Sequence, residues 1–292
     1  MKEFFEKIHT DDFTWRDSGF YVFVVTLLLV FLSGISSSPI QLLAQSSESS
    51  LAASGLMYFS FITWWIVICL FCLIVKRYRY ILKTFLKGMS GNTLKMFLCG
   101  LGIGFGTNTI CVLCALFHKD IYLYFDSLKI LPVLIMFLCV FVQSTAEELL
   151  YRGFMYQALR KGYKSPWSAI LVNSFVFSFG HFLNPGVTIF SLFNVFLAGL
   201  LFSLLVYYFD SIWAAMAAHT AWNFTQNVLF GLPNSGMVLD FSIFNLDAAK
   251  ATNSFFYNVA FGIEGTGMAC VVLIVACAAI IILGNKKKKN LK

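Results

Sequence analysis

The sequence predicts an all-α fold, a polytopic transmembrane helix bundle of about eight spans with both termini cytosolic. Three observations predict it. Of 292 residues, 59% are hydrophobic and 12% charged, whereas soluble domains carry about a quarter charged residues. That apolar surplus, with 33 Phe, exceeds what one core can bury and has to face lipid. Apolar runs recur near the roughly 20 residues that cross about 30 Å of hydrocarbon, and Lys and Arg gather in alternate connections.

The first eighteen residues mix Lys2, Lys7 and Arg16 with Glu3, Glu6, Asp11, Asp12 and Asp17. This is not the short basic start of a cleaved signal, so the first run, 19–35, is expected to be retained as a helix. The connection 41–54 holds one Glu and no Lys or Arg. The second run, 55–75, is followed by Lys76, Arg77, Arg79, Lys83 and Lys87. Runs three and four, 96–117 and 130–150, lead into Arg152, Arg160, Lys161 and Lys164. Runs five and seven, 167–181 and 212–230, are interrupted by polar residues; run six, 187–209, lies between them. The segment 232–261 sets Asp240 and Asp247 against Lys250, and run eight, 265–283, ends in Lys286, Lys287, Lys288 and Lys289. With eight crossings the basic segments share one side, the cytosol by the positive-inside bias. The expected organisation is a cytosolic segment 1–18, one transmembrane domain 19–284 and a basic cytosolic tail 285–292.

A net charge of +7 placed at membrane flanks gives no reason to expect a nucleic-acid partner. The eight Cys lie within apolar runs, where a thiol behaves as a small hydrophobe. The CxxC pairs Cys69/Cys72 and Cys111/Cys114 lack redox-fold context and neighbouring His, so they are read as helix packing.

Ionisable residues inside spans carry the functional information, because each costs about 2.5–3.5 kcal/mol at a helix centre and faces a cavity or a partner. Run four ends in Glu147, Glu148 and Arg152; run five ends in His181; run seven holds His219 and Asn223. Glu148 and Arg152, four apart, can pair on one helix face, while Glu147 points about 100° away. Each element alone has a plain structural reading, as a solvated helix end, a hydrogen-bonded core histidine or an interhelical clasp. A hairpin through 160–166 brings two of them together. Its turn lies about 15 residues after Glu147 and about 17 before His181, so at 1.5 Å per residue the two side chains reach similar depth.

With these residues in order on separate helices, the chain resembles the CPBP intramembrane proteases, which include eukaryotic CAAX prenyl endoproteases and the bacterial Abi group. EExxxR stands as Glu147, Glu148 and Arg152; FxxxH as Phe177 and His181; HxxxN as His219 and Asn223. The implied core spans about 96–231. The resemblance implies Glu147 as general base, His181 positioning the water, and His219 with Asn223 stabilising the oxyanion. Glu148 and Arg152 would orient the motif, and Phe177 would pack against the site. No Ser has an accompanying base and acid for a serine-protease set. Two His and a Glu (Glu147, His181, His219) could hold a catalytic zinc; the preferred mechanism does not require it.

The expected function is an integral-membrane endopeptidase cutting a membrane-associated peptide or protein near the cytosolic face. The prenylated CAAX substrate belongs to one branch of the family, and a bacterial plasma membrane is the expected location. Two other classes compete. A transporter or ion-conducting protein would use the same buried Glu, His and Asn as a relay, without an evident inverted repeat. A non-catalytic immunity or scaffold protein would keep its function in a Glu147→Gln variant.

Overall fold

Ile189–Phe209, a run of 21 residues without a charge, forms the buried centre of the bundle. The computed structural model describes residues 6–86 and 88–290. Lys87 of the basic connection, the last two residues of the tail and residues 1–5 lie outside the described residues.

In chain order the helices are α1 (Gly19–Gln45), α2 (Ser50–Phe59), α3 (Ile62–Ile74), α4 (Arg79–Phe85) and α5 (Leu94–Phe117). α6 (Ile130–Glu148) continues through a π-helical turn, Leu149–Met155, into α7 (Tyr156–Gly162). α8 (Pro166–Phe179), α9 (Ile189–Phe209) and α10 (Ile212–Asn223) follow; α10 ends in a second π-helical turn, Phe224–Leu229, and α11 (Gly267–Asn290) closes the chain. Among the described residues one pair of strands forms, β1 (Leu123–Phe125) antiparallel on β2 (Phe244–Leu246), with Leu123 opposite Leu246.

Six helical stretches among the described residues are long and apolar enough to cross a membrane: Gly19–Gln45, Ser50–Ile74, Leu94–Phe117, Ile130–Gly162, Ile189–Phe209 and Gly267–Lys289. The other two of the eight expected runs are helical but shorter, and they are the two that carry histidine. α8 has 14 residues and stops before Gly180 and Pro185. α10 has 12 before the π-helical turn, which brings in Gln226 and Asn227. Elsewhere the helices outrun the expected boundaries, the first by ten residues to Gln45 and the fourth by twelve to Gly162.

Local chemistry explains the ends. Ser18 and Thr93 accept from Tyr21 N and Met96 N at the starts of α1 and α5, and Thr188 and Ser191 form a capping box on α9. Pro166 opens α8, where its missing N–H costs nothing. Asp210 takes the left-handed conformation (φ 51°), which lets α9 reverse into α10 within two residues. Its carboxylate accepts from Ser90 N at 2.7 Å.

The basic segments come together at one end of the bundle. Arg77 pairs with Asp17, Lys161 Nζ lies 5.6 Å from the Tyr80 ring centroid, and Lys288 Nζ lies 3.6 Å from that of Tyr207. The opposite end holds the β1–β2 pair and the 231–262 segment, which is tied to the α8–α9 connection by Asn184 Nδ2 donating to Ser235 O at 3.0 Å. Toward the basic end the interior is packed solid, and every residue of Leu149–Met155 is buried. Small residues set the tightest contact: Gly100 and Gly104 of α5 lie on Ala214, Ala217, Ala218 and Ala221 of α10, so a Cβ at Gly104 would strike the Ala218 carbonyl oxygen. Apolar side chains such as Phe31, Ile74 and Leu131 cover the outer surface.

Candidate active site

Three helices supply the site. The last two turns of α6 carry Gln143, Glu147 and Glu148, and the π-helical turn that begins at Leu149 adds Tyr151 and Arg152. A π turn widens the helix by one residue per turn and recurs at functional positions. α8 delivers Phe177 and, two residues beyond its end, His181. α10 presents His219 and Asn223, held close by the Gly100/Gly104 contact.

Glu148 is the structural anchor. Fully buried, its Oε1 accepts from Arg152 Nη1 at 2.9 Å and from His219 Nδ1 at 2.9 Å. Arg152, equally buried, donates Nη2 to Gly199 O of α9 at 2.8 Å and lies 4.4 Å from the Phe177 ring centroid. The guanidinium thereby ties α6, α8 and α9 together. Phe202 stacks on the His219 ring at 5.0 Å, and Phe177 meets it edge-on at 5.9 Å.

Because Glu148 takes His219 Nδ1–H, the other ring nitrogen is the one turned toward Glu147, with His219 Nε2 4.0 Å from Glu147 Oε2. Glu147 Oε1 accepts from Gln143 Nε2 at 2.6 Å, whereas Oε2 is buried without a partner. Gln143 is held in turn by Asn223 Nδ2, which donates to Gln143 Oε1 at 3.0 Å and to Ser144 Oγ at 3.2 Å. Asn223, expected as an oxyanion donor, has its amide engaged here. His181 Nδ1 donates to Phe177 O at 2.9 Å, leaving Nε2 free for a ligand.

Glu147, Tyr151, His181, His219 and Asn223 all line one cavity of about 730 Å³. It begins about 10 Å along α10 from its basic end, reckoned from the seven residues between Ile212 and His219. From there it runs toward the opposite end, where Gln45, Ser47, Val238 and Asp240 form its walls.

Glu147, His181 and His219 are the residues expected to hold a metal. Both imidazoles bond Nδ1 to protein acceptors and keep Nε2 free, as a metal-ligating His also does, but no three His, Cys, Asp or Glu side chains among the described residues gather closely enough to hold an ion. No chemistry below is routed through a metal.

Sequence reasoning missed Gln143, Asn194 and Glu264. Gln143 and Asn194 are lone amides inside apolar runs, and the first stands one helical turn before Glu147. Glu264 belongs to a connection, Ile263–Gly265, that folds back onto the cavity, and no local pattern marks that return.

Residues 129–225, which contain all three motifs, match the model of a family described as Rce1-like, type II CAAX prenyl endopeptidase. No curated protein matches the chain.

Proposed function

We propose that this chain, a member of the CPBP/CAAX family of intramembrane proteases through residues 129–225, is an integral-membrane endopeptidase whose general base is Glu147. One observation carries the reading: a carboxylate oxygen, buried and unpartnered, faces an imidazole nitrogen 4.0 Å away at the inner end of a large cavity.

In the proposed reaction Glu147 takes a proton from a water held by His181 Nε2 while the water oxygen adds to the scissile carbonyl carbon. His219 as an imidazolium donates Nε2–H to the resulting oxyanion, and the Glu148 carboxylate at its Nδ1 supports that positive charge. Glu147 then gives the proton to the departing nitrogen as the C–N bond breaks, leaving a carboxylic acid and an amine. Asn223 acts through Gln143, which orients Glu147. Arg152 keeps the Glu148–His219 pair in place.

The unit is 19–284 with its protease core at about 96–231. We assign eight crossings, α8 and α10 being short ones, with both termini and the basic segments cytosolic and a bacterial plasma membrane as the setting. The substrate is a membrane-associated peptide or protein that reaches Glu147 through the cavity. The proposed catalysis does not require a tightly bound metal.

The test is membrane peptidomics of cells carrying the wild-type chain or Glu147→Gln, with cleavage of any recovered substrate then repeated on purified protein before and after chelation. A product set lost in the variant and retained after chelation is expected. Near-normal turnover in a folded Glu147→Gln protein would overturn the assignment of the base, and chelation that abolishes cleavage, with zinc restoring it, would overturn the metal-free mechanism.

A further inference from the structure

The cavity carries a charge that the hydrolytic chemistry does not explain. Three carboxylates line it, those of Glu147, Asp240 and Glu264, and among the described residues no Lys or Arg does. Glu264 is fixed in place: Oε1 accepts from Trp222 Nε1 at 3.0 Å, and Oε2 accepts from Ser235 N at 2.7 Å. Trp222 precedes Asn223, so this carboxylate is held against the same stretch of α10 that carries His219 and Asn223.

A second observation, independent of charge, points to the same kind of ligand. Asn194 of α9 lines the cavity and is 1% exposed. Its Nδ2 donates to two backbone carbonyls, Glu264 O at 2.8 Å and Thr266 O at 2.9 Å. That double donation fixes which end of the amide is which, and it leaves the carbonyl oxygen Oδ1 buried with no donor. A buried acceptor without a donor costs free energy that a ligand N–H recovers. Two acceptors among the residues that line the cavity thus lack a donor, Glu147 Oε2 and Asn194 Oδ1, and Glu264 is met by neutral donors, Trp222 Nε1 and the Ser235 N–H and hydroxyl.

We infer that this cavity selects a cationic substrate segment, a Lys or Arg side chain or a chain-terminal amine, which Glu264 and Asn194 Oδ1 receive while the scissile bond lies at Glu147. The inference rests on the endopeptidase reading for what happens to the bond, and on the cavity alone for what binds. The same walls disfavour a peptide that places a carboxylate, including a free C-terminus, inside the cavity, because no Lys or Arg among the described residues lines it and the His219 imidazolium of the proposed reaction is already paired with Glu148.

The experiment uses the full chain in nanodiscs of zwitterionic lipid. The probes are apolar peptides of about 12 residues, acetylated and amidated, with Lys, norleucine or Glu scanned through each position, and one further peptide with a free C-terminal carboxylate. Binding is read by fluorescence anisotropy on Glu147→Gln, and cleavage on the wild-type chain. The best Lys peptide should bind at least about tenfold more tightly than its Glu counterpart, the scale expected of one charge contact shielded from water. In the Glu147→Gln/Glu264→Gln double variant the Lys and norleucine peptides should come within about twofold of each other. Equal or tighter binding of the Glu or free-carboxylate peptide overturns the inference, and that comparison needs no variant at Glu264. Charge selection in binding with no cleavage of any peptide would retain the inference and count against the endopeptidase reading.

Discussion

Glu148 serves two partners at once, and what happens when one is lost can be stated in advance. Arg152→Ala leaves a fully buried carboxylate with the imidazole alone, and removing one member of a buried pair costs about 3–5 kcal/mol. The variant should give a lower melting temperature in detergent and a lower folded yield, together with reduced activity; unchanged melting would show that the guanidinium is not needed to hold the three helices. Outside the membrane, burial acts to raise the Asp17 pKa, but hydrogen bonds from Arg77 and Thr14 outweigh it and hold the carboxyl below its ordinary 3.8. A lowered folded-state pKa means that the unfolded chain binds the proton more readily. The stabilisation is therefore complete above the ordinary carboxylate range and is lost as pH falls through the depressed value. Melting curves taken from pH 6 downward should show the gap between wild type and Asp17→Asn closing below about pH 4; a constant gap would dismiss the ion pair as the cause.

Among the elements, α10 depends most on a neighbour. Its Ala face lies directly on Gly100 and Gly104, so Gly104→Val drives a side chain into the Ala218 backbone. Overpacking of this kind costs about 1–3 kcal/mol, and here it would also displace His219, so activity should fall further than stability. Equal losses in turnover and in folded fraction would mean that the contact sets stability alone. This contact also marks how far the sequence could be read. Interactions within one helix were legible: the four-residue spacing of Glu148 and Arg152 is a local geometric fact and appears as a 2.9 Å pair. The Phe177–His181 spacing likewise places the two rings 4.9 Å apart. The bond from His219 to Glu148 spans 71 positions and depends on how closely α10 approaches α6 through α5, which no periodicity reveals. The π-helical turns after Glu148 and Asn223 were equally hidden, since one extra residue in a turn leaves the apolar pattern nearly unchanged. Glu264 was obscured because a carboxylate in a connection reads as solvated until the chain is seen to fold back.

At the scale of the molecule, the clustering of Arg77, Lys161 and Lys288 at one end predicts sidedness. On a background with the native thiols replaced, Lys164→Cys should resist an impermeant thiol reagent added to intact cells, and Ala249→Cys should react with it. The reverse pattern would invert the orientation and would place the walls of the cavity on the cytosolic side.

The one-sided cavity has an electrical consequence. Water that fills a polar cavity carries the potential of the compartment it opens to, so the transmembrane voltage falls mainly across the dry layer left between the cavity and the basic end. Leu149 and Phe154 are buried behind Phe177 and Phe202 of the cavity wall, with Arg152 locked against the two rings. A charge crossing it would meet about 2.3 kcal/mol for every 100 mV, but in the reaction proposed above the protons move between Glu147, water and substrate on the cavity side, where the field is weak. Turnover in an energised membrane should accordingly proceed at the same rate as in a depolarised one, and the bundle can keep water at mid-depth without discharging the membrane it sits in.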